Sequence, residues 1–313
     1  MLHRIVQAYG GELPKKIKVI FCNTSKEFPQ TLDFVERCST EWGVKITWLE
    51  YHSESPGHFR KVTPETACRN GEVFEDFIRS RHIIPNAIKR VCTEAMKILP
   101  KNRYIKSLGW VKFHKDGNKR ILDSGYHNAI GLRYDEPRRL HSMRMSIAEN
   151  PSHIMKESLL GPVKVKSKKH KVKPPFGERP LVPIAEAKVS KPMIADWWKE
   201  QRGGYEWDDW MAIAERKRPG FDLELHPDRN ETNCDGCFLK GARRLAELER
   251  NHPGMLDWWI QMEKEVGGLK KKFGQFNQNL SMTEIQEAAR KPGQIPLFMA
   301  DQYAPECELT CTD

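Results

Sequence analysis

No stretch of this sequence approaches the about 18 consecutive apolar residues that a membrane-spanning helix requires. The opening residues, MLHRIVQAYGGELPKK, lack the basic, apolar, small-residue order of a secretory leader. These absences predict a cytoplasmic protein with no membrane partner. Disulfides are rare in that compartment, so the eight cysteines read as thiols, metal ligands or redox groups. No internal repeat is visible. Acidic residues are missing from one place in particular: Lys164 to Lys173 reads KVKSKKHKVK, with six lysines, no acid and no aromatic residue.

The chain has 313 residues, enough for one large domain or two modest ones. With 39% hydrophobic residues it can bury a core, which excludes wholesale disorder. The formal charge is +10, of which the lysine run holds six; the remaining 303 residues carry +4. A solvated linker and a basic arm gripping a nucleic-acid backbone are both open readings of residues 164–173. The absence of aromatics argues against base stacking there.

Residues 2–9 place Leu2, Ile5, Val6 and Tyr9 on one helical face, stopped by Gly10-Gly11. IKVIFC (17–22) and VKITWL (44–49) read as strands around a helix over 30–42, a βαβ unit with a parallel sheet. Helices are predicted over 72–81, 87–97 and 138–150, a strand over 127–132, and an edge strand over 181–184. Prolines at 174, 175, 180, 183 and 192 mark an extended linker over 151–192. Beyond it, 193–313 reads as helical and rich in Trp and Cys; the pairs Trp197-Trp198 and Trp258-Trp259 are expected core anchors. Ser281-Met-Thr-Glu284 is a capping box for a further helix. The expected architecture is thus an α/β domain over 1–150, a basic linker, and a helical cysteine-containing region.

Three motifs offer chemistry. The first is Asn23-Thr24-Ser25-Lys26-Glu27, a polar loop at a strand's carboxyl end, where open parallel sheets bind ligands. Its hydroxyls and backbone N–H groups suit a nucleotide; an ordinary turn into the helix is the alternative. The second is Gly131-Leu-Arg133-Tyr-Asp135-Glu136-Pro-Arg138-Arg139. Its three arginines suit phosphate or sulfate oxygens, with Asp135 and Glu136 holding the guanidiniums or contacting ribose. An exposed helix start is the alternative. The third is Cys234-Asp-Gly-Cys237, half of a thiolate metal site or a redox dithiol, whose missing ligands are Cys92, Cys307 or Cys311.

Together these pieces resemble the phosphoadenosine phosphosulfate reductase family, within the adenine-nucleotide α-hydrolase-like fold. Val19–Glu27 with Thr31–Val35 is similar to that family's nucleotide-side strand and loop. Cys92-Thr-Glu-Ala-Met-Lys97 resembles the segment where its iron–sulfur members carry two adjacent cysteines before a lysine. Ala129–Arg139 resembles its anion-binding strand end, and Asn233–Lys240 its later Cys-x-x-Cys. The resemblance implies a Rossmann-like parallel sheet with flanking helices and an adenine nucleotide as substrate. It further implies a 4Fe–4S cluster on Cys92, Cys234, Cys237 and Cys311 or Cys307, and an electron-donor protein as partner. Asn23, Thr24, Ser25, Glu27, Lys97, Gly131, Arg133, Arg138 and Arg139 are then the nucleotide and anion contacts.

The sequence departs from the family at three places. The family's Ser-Gly-Gly-Lys-Asp-Ser-type phosphate loop and the strand before it have no counterpart, so the expectation is a chain one strand and one loop short. Thr93 stands where the second of the adjacent cysteines would be. Glu306-Cys307-Glu-Leu-Thr310 is only faintly similar to the family's Glu-Cys-Gly-Leu-His ending, whose cysteine is the nucleophile. The resemblance implies an oxidoreductase or a sulfurtransferase. The rival expectation is a non-catalytic zinc-thiolate protein that binds nucleic acid through the lysine arm.

Overall fold

The computed structural model describes residues 1–87, 90–116, 119–149, 177–201, 234–266, 274–277 and 279–291. The lysine run 164–173, Cys307 and Cys311 lie outside the described residues. The fold is mixed α/β with small sheets, in two compact units. One is Leu2–Lys101 with Gln201–Thr312; the other is Asn102–Glu200 with the two terminal residues. The expected 1–150 domain therefore contributes elements to both units.

In the first unit, α1 (Leu2–Ala8) precedes β1 (Val19–Asn23), α2 (Pro29–Glu41) and β2 (Ile46–Tyr51). Pro29 opens α2, where its missing N–H costs nothing. Gly43, at φ 61°, turns the chain back so that Val44 N–H bonds to Ser39 O. The strands pair in parallel from Val19↔Ile46 to Asn23↔Glu50, so the expected βαβ unit forms. A strand the sequence reading did not contain, β3 (Phe59–Val62), adds antiparallel to β2. Leu32 of α2 packs with Trp48 of β2 and Ala67 on one face of this sheet.

The larger core is built from α3 (Glu72–Arg81), a π-type helical stretch (Thr93–Ile98) leading into α4 (Leu99–Ser107), and three C-terminal helices. These are α8 (Gly241–Asn251), α9 (Asp257–Val266) and α10 (Met282–Ala289). Phe74, Ile78, Met96, Leu245, Trp259, Phe276 and Ile285 meet there. The capping box at Ser281 and Glu284 is formed, and Trp259 is a core anchor with Trp258 packed beside it. Where a helix is predicted over 87–97, the chain is helical from Val91, with the π-type stretch from Thr93, and residues 88 and 89 lie outside the described residues. Upstream of it Ile84 is fully buried and Asn86 Nδ2 donates to Gln275 O (3.4 Å).

The second unit contains an antiparallel ribbon, β4 (Lys112–Asp116) and β5 (Lys119–Ser124). It also contains a parallel pair, β6 (Tyr126–Ala129) with β7 (Glu178–Leu181). The helices α5 (Pro137–Glu149), α6 (Pro183–Glu186) and α7 (Lys191–Gln201) complete it. Leu132, Val182 and Ala185 form a small core with Ile130, Leu140 and Met143. The expected strand over 181–184 is displaced, because Pro183 opens α6 and β7 ends at Leu181. Trp197 and Trp198 of α7 are half-buried and pack edge-on against each other, outside the core clusters formed among the described residues.

Candidate thiol site

The polar loop after β1 is a buried element. Asn23, Thr24, Ser25, Lys26 and Glu27 are all buried, and Ser25 adopts φ 63°. Buried polar groups require partners, and here they find them in one another. Thr24 N–H and Oγ donate to the Glu27 carboxylate at 3.1 and 2.7 Å. Ser25 N–H donates to Asn23 Oδ1 (2.9 Å), and Ser25 Oγ donates to Thr24 O while accepting from Val73 N–H.

Below the loop, Glu50 is fully buried at the end of β2. It accepts from Asn23 Nδ2 (2.7 Å) and Cys68 N–H (2.7 Å), and Arg60 grips its other oxygen through Nε and Nη2 at 3.0 and 2.8 Å. Such a buried charge stands only because it is paired and fully hydrogen-bonded. Glu50 was missed by sequence reasoning; a lone acid inside the apolar strand ITWLEY is the signal that marks it.

The Cys-x-x-Cys turn lies on this loop. Glu27 and Cys234 form an antiparallel β-bridge, and Asp235 N–H donates to Lys26 O (2.8 Å). Lys26 Nζ meets Asp235 Oδ2 at 2.9 Å and lies over the rings of Trp258 and Trp259. Asp235 Oδ1 accepts from Trp259 Nε1 (2.8 Å) and Gly236 N–H (2.6 Å). Lys240, 1% exposed, reaches Asp235 O at 3.4 Å and lies over the Phe28 ring. Lys26, Asp235 and Lys240 are thus part of the site, although residue type and spacing alone do not single them out.

Thr24 Oγ also stands 3.4 Å from Cys234 Sγ. A threonine hydroxyl has one proton, and the shorter bond to a carboxylate takes it. The sulfur therefore donates: Cys234 S–H to Thr24 Oγ, and Thr24 O–H to Glu27. The arrangement is a chain from a thiol to a buried carboxylate.

Cys237 is buried, and Cys92 and Cys234 pack against the same core. Lys97 is half-buried one turn beyond Cys92, and its carbonyl accepts from Cys22 Sγ (3.4 Å). Asn23, Thr24, Ser25, Glu27, Lys97, Cys92, Cys234 and Cys237 therefore share one unit. Among the described residues, no group of three or more His, Cys, Asp or Glu side chains stands in metal-holding geometry. The described thiols alone thus do not fit a four-thiolate cluster; the turn offers a pair. The other thiols are poor nucleophiles, since burial pushes Cys22 and Cys68 up to about 11 and Cys38 up to about 12.

Gly131, Arg133, Arg138 and Arg139 belong to the other unit. Glu136, 1% exposed, accepts from Arg133 N–H (2.7 Å) and from Arg139 Nη1 (2.8 Å). Arg133 Nε also meets Asp135 Oδ1 at 3.1 Å. Burial opposes ionisation of Asp135, yet the Lys191 N–H and Arg133 outweigh it and hold its carboxyl below the usual range. The two acids thus hold two of the guanidiniums, while Arg138 is exposed on α5. No family model, no curated protein and no solved structure matches the chain. Among the described residues no helix is long and apolar enough to cross a membrane.

Proposed function

We propose that the chain is a phosphoadenosine phosphosulfate reductase-like enzyme of sulfur chemistry, with a Rossmann-like core and a cytoplasmic site of action. Its substrate is an adenine nucleotide, and its reaction is sulfonucleotide reduction or nucleotide-activated sulfur transfer. The observation that carries this reading is the β-bridge between Glu27 and Cys234. It fixes a thiol pair at the carboxyl end of a parallel strand, the place where open α/β sheets present their ligands.

In this reading Cys234 and Cys237 act as the working dithiol or as two ligands of a 4Fe–4S cluster. Cys92 and a tail cysteine, Cys311 or Cys307, complete the ligand set. Lys26 and Lys240 offset the negative charge that Asp235 and Glu27 bring to the turn. Asn23, Thr24, Ser25 and Glu27 hold the turn in place, with Thr24 bridging Cys234 to Glu27 by hydrogen bonds. Lys97 is the anion contact of this unit, and Arg133, Arg138 and Arg139 are a separate anion-binding segment of the other.

Purification without oxygen, followed by assay of iron, acid-labile sulfide and zinc, tests the proposal. Iron with sulfide, lost in Cys234→Ser, together with saturable binding of a sulfonucleotide, supports it. One zinc per chain and no nucleotide binding replaces it with the zinc-thiolate protein. Metal content unchanged in Cys234→Ser removes the Cys-x-x-Cys turn from the ligand set.

A further inference from the structure

The Cys-x-x-Cys turn is gripped from two sides. On one side lies the loop 23–27, joined to it by the Glu27–Cys234 bridge, by the Asp235 N–H bond to Lys26 O and by the Lys26–Asp235 ion pair. On the other lies Trp259, whose Nε1 donates to Asp235 Oδ1 and whose indole a Cβ on Gly236 would overlap. Asp235 and Gly236, the two residues held in this way, are the two between the thiols. A change in the turn therefore reaches both neighbours.

The backbone of the turn suits such a change. Cys237 N–H bonds to Cys234 O (3.3 Å), closing a four-residue turn. The ends of such a turn lie within about 7 Å at Cα, and a disulfide spans about 4.4–6.8 Å between Cα atoms. Joining the sulfurs thus asks little of the backbone and more of the side chains. Cys234 Sγ stands 3.4 Å from Thr24 Oγ, whereas Cys237 is buried in the larger core. A bond between the two sulfurs takes Cys234 away from Thr24.

Thr24 belongs to a loop that depends on its partners. Ser25 is held at φ 63°, a left-handed conformation that a serine keeps only where its surroundings fix it. Those surroundings are Asn23 Oδ1 on its N–H, Val73 N–H on its hydroxyl and, one residue back, the Thr24 contact with Cys234. We infer that Cys234 and Cys237 form a reversible disulfide whose closure loosens the loop 23–27, so that the oxidation state of the pair regulates the site at the end of β1. The inference rests on the dithiol form of the reading above and adds its regulation. The oxidant is a low-molecular-weight disulfide, oxidised glutathione. Cys234, the more exposed of the two, attacks one of its sulfurs as the thiolate and displaces one glutathione thiolate. Cys237 then attacks Cys234 in the mixed disulfide and displaces the second. Two electrons and two protons pass from the pair to the oxidant, which leaves as two molecules of reduced glutathione.

The test equilibrates the full chain, as purified, with increasing oxidised glutathione at fixed reduced glutathione in oxygen-free buffer. Acid quenching, alkylation and tryptic mass mapping read the pair, because both thiols fall in the single tryptic peptide 230–240. This peptide is expected to lose two hydrogens and escape alkylation, and to recover in excess reduced glutathione. On the same samples, hydrogen exchange across residues 23–27 should quicken by about three- to tenfold, the loss of one hydrogen bond. Thr24→Val removes a contact that only the reduced pair makes, so it should close the disulfide at about three- to tenfold less oxidised glutathione. Four outcomes overturn the inference: a pair that stays reduced throughout, with or without metal on it; a disulfide that joins Cys234 to Cys92; a closed pair with exchange across 23–27 unchanged; and a Thr24→Val variant that needs as much oxidant as the parent. The sulfur reading fails separately, by absence of sulfonucleotide binding to the reduced chain.

Discussion

Lys26 Nζ stands 2.9 Å from Asp235 Oδ2, both side chains largely withdrawn from water, although the residues are 209 positions apart. The pair joins the loop after β1 to the Cys-x-x-Cys turn. It is reinforced by the Asp235 N–H bond to Lys26 O and by two indole rings against the ammonium. One end of the chain thereby fixes the geometry of thiols near the other.

Removing either charge leaves its partner buried without an opposite charge, a loss of about 3–5 kcal/mol for a fully buried pair. Lys26→Met leaves Asp235 its bonds from Trp259 Nε1 and Gly236 N–H, whereas Asp235→Ala orphans Lys26 and both of those donors. Asp235→Ala is therefore expected to lower the urea midpoint more than Lys26→Met. In a double-mutant cycle the two losses should be clearly less than additive.

Gly236 is expected to tolerate no side chain. A Cβ there would overlap the indole of Trp259 at Nε1, Cε2 and Cδ1. Trp259 is itself 1% exposed and cannot retreat into solvent. Gly236→Ala should cost about 1–3 kcal/mol through overpacking and break the indole bond to Asp235. A lower melting temperature and a change in tryptophan emission would both record it. At Gly131, where a Cβ meets nothing within 4 Å, Gly131→Ala should leave stability unchanged.

The two cases show what a sequence discloses. The βαβ unit was legible because IKVIFC and VKITWL are driven by local apolar runs, and the capping box because its partners lie three residues apart. The β4–β5 ribbon was not, since KFHKD and KRILDS carry polar residues on both faces and show no period-2 apolar signal. The loop 23–27 was recognisable as a polar strand end. Its burial beneath residues 234–240 depends on contacts that leave no local trace.

Thiol chemistry should separate the cysteines. With Cys22 and Cys68 near 11, roughly one thiol in a thousand is ionised at pH 8, and fewer still at Cys38 near 12. Iodoacetamide mapping of the native protein at pH 8 is expected to leave these three unmodified. Their labelling should rise only as the pH climbs toward those values. Rapid labelling of Cys38 at pH 8 would show that its site opens to solvent.

Glu263 gives a pH dependence with a definite sign. Burial raises its pKa above the ordinary 4.5, against the opposing bonds from Met282 N–H and Phe276 N–H, and Glu284 adds to the rise. Its two oxygens accept those two backbone donors at 2.8 and 2.9 Å, closing the segment between α9 and α10. The folded state therefore holds this proton to a higher pH than the unfolded chain does. The contribution of Glu263 to stability is fully present below 4.5 and declines as pH rises through the folded value. Glu263→Gln removes that decline but turns an NH2 group toward one of the two N–H donors, so it is less stable than the parent at every pH. The urea-midpoint gap between parent and variant should accordingly narrow as pH rises from 4.5 towards neutrality. A gap that widened over that range would mean that Glu263 ionises more readily in the folded chain than in the unfolded one.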